Sequence, residues 1–170
     1  MSILLYAHII TGSLALLLGL AVFFLKKGDE RHRLLGKIYG VSMVLSCLLA
    51  IIISTAKMLF FLFFVGLFSL YLVSSGWRLG QRRGGPTFWD GLLHGFFLSA
   101  HLVFLGVSIW ALTQGYAWGL VGLVFSLIGS IMGAGDIRRL LKERRQKTPF
   151  PQRISDHIGR MGGSYIALST

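Results

Sequence analysis

The chain has 170 residues and a mass of 18.8 kDa; 54% of its side chains are hydrophobic and only 14% are charged. Soluble domains carry about 25% charged residues, so this composition excludes an ordinary soluble domain and also a disordered chain. The single cysteine, Cys47, excludes an internal disulfide and therefore a disulfide-stapled secreted fold. The formal net charge is +11, and the positions of those charges decide which partner they indicate.

Several uncharged apolar runs are long enough to cross a bilayer, which takes roughly 20 residues. The sequence predicts an all-α, polytopic helix bundle of about six transmembrane helices in one domain covering residues 1–170. The predicted spans are residues 3–25, 38–56, 58–79, 90–113, 116–135 and 157–170. The last run would rise only about 21 Å, so we expect it to be incomplete and the natural chain to continue past Thr170. Pro149 and Pro151 disfavour helix in the basic segment 138–153, which is predicted to be a loop.

The basic residues are confined almost entirely to alternate loops. Of the 17 lysines and arginines, only Lys57 falls between spans two and three; the others are assigned to the loops after spans one, three and five. Short basic loops stay in the cytosol, so the amino terminus is predicted to lie on the outer side of a cytoplasmic membrane. The basic charge is thus a topology signal, and nucleic-acid binding is not predicted.

Small residues recur every three or four positions in spans one, two and five. Such faces let helices approach closely in lipid, so they predict helix packing, a homo-oligomer or a membrane protein partner. Because glycine has no side chain, a glycine-rich helix face would also leave room for a flat cofactor. Span three starts with bulky residues on all sides, at 59–65, and is expected to be the most lipid-exposed helix. The three stripes are His8, Gly12, Ala15 and Gly19; Gly36, Gly40, Met43, Cys47, Ala50 and Ser54; and Gly115, Gly119, Gly122, Ser126, Gly129 and Gly133, followed by Asp136.

Four histidines are candidate cofactor ligands, because ionisable groups within a span are costly and are functional candidates by default. His8 lies near the outer end of span one, and His157 opens span six. His101 lies near the middle of span four, and His94 lies seven residues earlier on the same face. Imidazoles on facing helices suit a b-type haem. The alternative for His101 is a hydrogen bond to a neighbouring helix. For His8 it is the nearby aqueous boundary, and for His157 it is a structural role beside Ser155, which could cap the helix.

A second candidate set would bind a transition metal at the inner boundary. It consists of His32, His94, His157 and Asp136, since imidazole and carboxylate suit such ions. The alternatives are a solvated or headgroup role for His32 and an ion pair with a neighbouring arginine for Asp136. The spacing of His94 and His101 is too long for both to bind one small ion without other ligands.

Four functions are compatible with these residues. The first is electron transfer through a bound haem or metal, and the second is an accessory subunit of a larger membrane complex. The third is a small-solute or proton-coupled transporter, and the fourth is a membrane-embedded metallohydrolase using Asp136. No phosphate-binding loop, nucleophile elbow or dinucleotide fingerprint occurs in the sequence. The sequence alone therefore does not choose among the four.

Four histidine motifs recur along the chain: His8-x-x-x-Gly12, His32-Arg33-x-x-Gly36-Lys37, a mid-chain His94, and His157-x-x-Arg160-Met161. Together they resemble a bacterial family of predicted multi-pass membrane proteins of unknown function. The resemblance covers essentially the whole chain and implies a bundle of six or seven helices in a bacterial cytoplasmic membrane, with histidines at recurring places, but no established activity. The plan is more loosely similar to that of six-helix di-haem cytochromes of the b561 type, whose paired histidines on successive central helices are not matched.

Overall fold

The computed structural model describes residues 2–82, 84–144 and 150–169, and within these ranges all the regular elements are helices. The predicted all-α helical class is confirmed. Five helices, α1 to α5, are long and apolar enough to cross a membrane, as expected for a multi-pass protein. The six helices are α1 Ser2–Phe24, α2 Glu30–Ala56, α3 Phe60–Gln81, α4 Phe88–Thr113, α5 Trp118–Glu143 and α6 Phe150–Ser169.

The predicted basic loop at 138–153 is wrong at both ends. Helix α5 continues to Glu143, and α6 begins at Phe150, so that Pro151 lies in its first turn. Proline is tolerated there because the first turn of a helix has no intrahelical partner for a backbone N–H. Pro149 lies outside the described residues. Helix α6 is not among the five helices apolar enough to span a membrane, so a sixth span stays a prediction.

The chain divides into two compact units, Met1–Trp77 with Ile158–Thr170, and Arg78–His157. The first unit contains α1, α2, most of α3 and the second half of α6. Its core packs the small face of α1 against aromatic side chains. A Cβ on Gly19 would overlap the ring of Tyr165 and lie 2.9 Å from the ring of Tyr39, so only glycine fits this contact without displacing them.

The small-residue stripes of the first unit are confirmed as packing faces. In α1 the buried residues are Ala15 and Gly19, both members of the predicted stripe. The stripe of α2 supplies four of the buried positions of that helix: Gly40, Met43, Cys47 and Ser54. Close approach through small residues is the usual way in which helices pack in lipid.

The expectation that span three is the most lipid-exposed helix is wrong. Half of its most apolar window is buried, compared with 11% for α1. After its bulky start, helix α3 carries small residues that allow close contacts. Gly66 lies against Ile51 of α2, and Gly76 lies against Arg160 of α6. Helix α3 is therefore covered from two sides, and α1 has the most exposed apolar surface.

The second unit is built on the hairpin of α4 and α5. The link between them turns at Gly115, whose φ of +80° is favourable only for glycine. The N–H of Gly115 donates to Leu112 O at 3.0 Å, and the N–H of Tyr116 donates to Ala111 O at 3.0 Å. This pair of bonds is a Schellman motif, which ends α4 and returns the chain antiparallel beside it.

Candidate functional site

Helices α4 and α5 pack through residues spaced alternately three and four apart. The small face of α5 was predicted from the sequence and is confirmed, with the exception of exposed Gly115 in the turn. On α4 the buried residues are Asp90, His94, Phe97, His101, Ser108 and Ala111. On α5 they are Gly119, Gly122, Ser126, Gly129, Ser130, Gly133, Asp136, Leu140 and Glu143. These two faces therefore contain histidine, serine and carboxylate side chains buried between the helices.

The glycines of α5 fix the register of the pair. Gly119 lies beneath Leu112 and the carbonyl of Ser108, and a Cβ on Gly119 would come within 2.8 Å of that oxygen. Farther along, Gly133 lies opposite Leu98. Because these contacts repeat along both helices at the same stagger, each residue of the α4 face has a defined partner level on α5.

His94 and Asp136 meet at one such level. His94 Nδ1 lies 3.2 Å from Asp136 Oδ2, and each side chain is only 7% exposed. Both residues belong to the set of four metal ligands predicted from the sequence, and the antiparallel packing of α4 and α5 brings these two into contact. The negative charge of the Asp136 carboxylate beside Nδ1 favours hydrogen on that nitrogen, which leaves Nε2 of neutral His94 as the basic nitrogen.

His101 lies two turns farther into α4, on the same face. Its Nδ1 donates to the carbonyl of Phe97 at 2.6 Å, so Nε2 carries the lone pair of the neutral ring. The ring packs directly on Gly129 of α5, where a Cβ would overlap Cδ2 and Nε2. This glycine thus provides the space occupied by the imidazole.

The predicted haem ligand His101 lies directly beside the backbone of α5, because its ring packs on Gly129. Within the described ranges, no group of three or more histidine, cysteine, aspartate or glutamate side chains is arranged to hold a metal ion. Cofactor binding therefore stays a prediction from the sequence.

Two further buried carboxylates of the second unit, Asp90 and Glu143, are paired with arginines. Asp90 accepts from Arg78 Nε at 2.9 Å and from the backbone N–H of Thr87 at 2.7 Å, which fixes the start of α4. Glu143 at the end of α5 forms an ion pair with Arg82, and these side chains are 4% and 5% exposed. A buried charge requires such a partner.

The ion pair between Asp156 and Arg139, in the same unit, is more exposed. Asp156 of α6 forms an ion pair with Arg139 of α5, and their side chains are 26% and 44% exposed. Surface pairs of this kind contribute little, about 0–1 kcal/mol. Removing the Asp156 carboxylate is therefore a suitable control for substitutions in the buried pairs.

The other predicted site residues have separate surroundings. In the first unit, His8 Nδ1 lies 3.0 Å from the carbonyl of Ser46, and the backbone N–H of His32 donates to the N-cap Asp29 at 2.6 Å. In the second unit, His157 packs on Gly80, where a Cβ would lie 2.6 Å from Nδ1. His8 is thus joined to α2 by the kind of hydrogen bond expected between packed membrane helices.

Sequence reasoning missed Arg160, which it assigned to a basic loop. In the structure it lies on α6 and is buried in the first unit, with Nη1 donating to Ser75 Oγ at 2.7 Å. Its guanidinium also lies over the ring of Tyr71, 5.7 Å from the centroid. Gly76 on α3 permits this approach, because a Cβ there would lie 2.9 Å from Arg160 Cβ. The helical spacing of Tyr71, Ser75 and Gly76 is a signal that could have indicated a contact face.

We expect Arg160→Lys to destabilise the first unit by about 1.5–3 kcal/mol, the range for a hydrogen bond to a charged group. The planar guanidinium of arginine can lie flat on the Tyr71 ring and donate to Ser75 at the same time, whereas the compact ammonium of lysine cannot do both. Cys47 is the single cysteine and is buried in the same unit, so its reaction with a maleimide dye on heating reports unfolding. Arg33→Lys, at an exposed position of that unit, should leave the labelling temperature unchanged. Equal labelling temperatures for wild type and Arg160→Lys would contradict this role.

Comparison of the chain with protein-family models, with curated proteins and with solved structures found no match.

Proposed function

We propose that the protein is a proton-translocating membrane protein in which His94 and Asp136 take up and release the proton. The observation that supports this most directly is the 3.2 Å contact between their side chains, both almost fully buried in helices able to cross a membrane. Ionisable residues inside membrane helices commonly form proton relays, and histidine is the side chain that titrates most readily near neutral pH. The proposal is the proton-coupled form of the transporter expected from the sequence.

Proton uptake occurs at Nε2 of His94, because in the favoured tautomer of the neutral ring the hydrogen is on Nδ1. A proton arriving at Nε2 of neutral His94 gives an imidazolium, whose charge is balanced by the Asp136 carboxylate at Nδ1. Release from Nε2 restores the neutral ring without changing any other bond. Asp136 thus positions the ring and stabilises its charged form, and His94 carries the proton.

The side of the membrane with which the pair exchanges protons follows from the distribution of basic residues. His94 lies six residues from the start of α4, about 9 Å along the helix. The basic residues at that end place it on the cytosolic side of a bacterial cytoplasmic membrane in our proposal. The pair would then exchange protons with the cytosol.

The proposal is tested by proton flux into liposomes that contain the purified protein and an internal pH-sensitive dye. We expect the wild-type protein to dissipate an imposed pH gradient, and Asp136→Asn and His94→Gln to slow this about a hundredfold, the loss typical of removing a positioned acid–base group. Asp156→Asn makes the same chemical change in the more exposed pair and should keep the wild-type rate. A wild-type rate equal to that of protein-free liposomes would contradict the proposal. An unchanged rate in Asp136→Asn would also contradict it.

A further inference from the structure

We infer that the first unit binds an anionic phospholipid at the basic end of α2, with the phosphate between Arg31 and Lys37 and an acyl chain along the apolar face that starts at Leu34. The site belongs to the first unit, whereas His94 and Asp136 belong to the second. Lipid binding here is therefore independent of the proposed function.

The basic residues after the first span lie largely on a helix rather than in a loop. Helix α2 begins at Glu30, whereas the sequence predicts that span two begins at residue 38. The segment 26–37 contains five lysines and arginines and two carboxylates, a formal net charge of +3. Because the first two turns of α2 continue directly into an apolar helix able to cross a membrane, they would lie at the level of the lipid headgroups.

One face of α2 is apolar and exposed along most of the helix. Its side chains are 40% to 61% exposed, and their spacing by four and three residues keeps them on one side. Lipid chains are the usual contact of such a face in a membrane helix. The members of this face are Leu34, Ile38, Val41, Leu45, Leu48 and Ile52.

Arg31 and Lys37 lie on either side of this face at its basic end. Each is three residues from Leu34, in opposite directions along the chain. At 3.6 residues per turn, the two positions are therefore about 60° to either side of Leu34. Both side chains are exposed. Long basic side chains in such positions lie along apolar surface and carry their charge to the headgroup level.

Neither of these two cations is neutralised by the protein. Among the described residues, Arg31 and Lys37 form no ion pair or side-chain hydrogen bond. In the second unit, by contrast, Arg78, Arg82 and Arg139 are each paired with a carboxylate. The two cations of α2 are therefore available to an external anion.

Two neighbouring charged groups already have other roles. Asp29 is the N-cap of α2 and accepts from the backbone N–H of His32 at 2.6 Å. The ammonium of Lys27 donates to the carbonyls of Val22 and Phe23 at 2.9 and 2.7 Å, at the end of α1. Asp29 thus does not pair with the cations of α2, and Lys27 is not assigned to the lipid site.

A phospholipid with net negative charge matches these features. Its phosphate can accept from a guanidinium and an ammonium together. It brings no ammonium of its own, unlike a zwitterionic lipid, so the net charge of the segment attracts it. A basic residue close to an anionic lipid surface contributes about a factor of five in affinity. The apolar face provides contact for an acyl chain directly beside the phosphate position.

The test is native mass spectrometry of the full chain in detergent, titrated with phosphatidylglycerol or with phosphatidylcholine of the same acyl chains. We expect the first phosphatidylglycerol to bind more tightly than phosphatidylcholine, and Arg31→Gln/Lys37→Gln to weaken it about 25-fold, a factor of five for each cation. Glu30→Gln removes a carboxylate from the same turn and should strengthen binding. The temperature at which buried Cys47 reacts with maleimide in lipid-free detergent should be the same in all variants, because the substituted side chains are exposed.

Arg138→Gln/Lys142→Gln is the matched control, because it removes two exposed cations from α5 of the second unit. It should leave the binding constant of the first phosphatidylglycerol unchanged. Equal affinities for the two lipids would overturn the site. Equal losses in the two double variants would also overturn it, since attraction to net charge would then be sufficient. Displacement of phosphatidylglycerol by inorganic phosphate would show a phosphate site without the acyl-chain contact, and would contradict the lipid as ligand.

Discussion

Gly129→Ala is expected to disrupt the packing of α4 on α5 and to lower the stability of the second unit by about 3 kcal/mol, at the upper end for overpacking. The added methyl would overlap Cδ2 and Nε2 of His101. The ring cannot simply swing away, because its Nδ1 is bonded to the Phe97 carbonyl and the side chain is buried. Either that bond breaks or the helices separate. Tryptophan fluorescence during denaturant unfolding in detergent measures the effect, since Trp89, Trp110 and Trp118 belong to this unit.

Gly135 offers a matched control on the same helix. A Cβ there would meet nothing within 4 Å, so Gly135→Ala should be neutral or stabilising by up to about 1 kcal/mol through helix propensity. In a His101→Ala background the overlap at Gly129 disappears, and Gly129→Ala should then cost little. Equal destabilisation by Gly129→Ala with and without the His101 side chain would show that the contact is not the cause.

The packing faces were predictable because their signal is local. Spacing by three and four positions along one helix selects one side of it, whatever the partner helix is. This is why the stripe from Gly119 to Asp136 matches buried positions of α5 so closely. The same argument placed His94 and His101 on one face of α4, and both are buried.

The partners of these residues were not predictable in the same way. The contact between His94 and Asp136 depends on the stagger of two helices, which the turn at Gly115 and the glycines of α5 determine together. Helix ends were also misjudged, because hydropathy falls where charged residues begin, whereas α5 continues to Glu143. Charged side chains at the water boundary do not end a helix when they find partners. Glu143 and Arg160 were therefore counted among loop residues, although both lie in helices.

Glu143→Gln is expected to destabilise the second unit by about 3–5 kcal/mol, the cost of breaking a buried ion pair from one side. The substitution leaves the Arg82 guanidinium, 5% exposed, without its counter-charge. Asp156→Asn removes a carboxylate from the more exposed pair of the same unit and should cost no more than about 1 kcal/mol. Denaturant unfolding followed by tryptophan fluorescence compares the two variants directly.

The double variant Arg82→Met/Glu143→Met distinguishes loss of the pair from loss of packing. Replacing both partners of a buried pair by apolar side chains of similar size is often neutral, so the double variant should regain most of the stability lost in Glu143→Gln. Such recovery would mean that the pair orders the ends of α3 and α5 through charge neutrality and adds little net stability. If the double variant were as unstable as Glu143→Gln, an isolated buried charge could not be the reason, and the contacts of the Glu143 side chain itself would have to account for the loss.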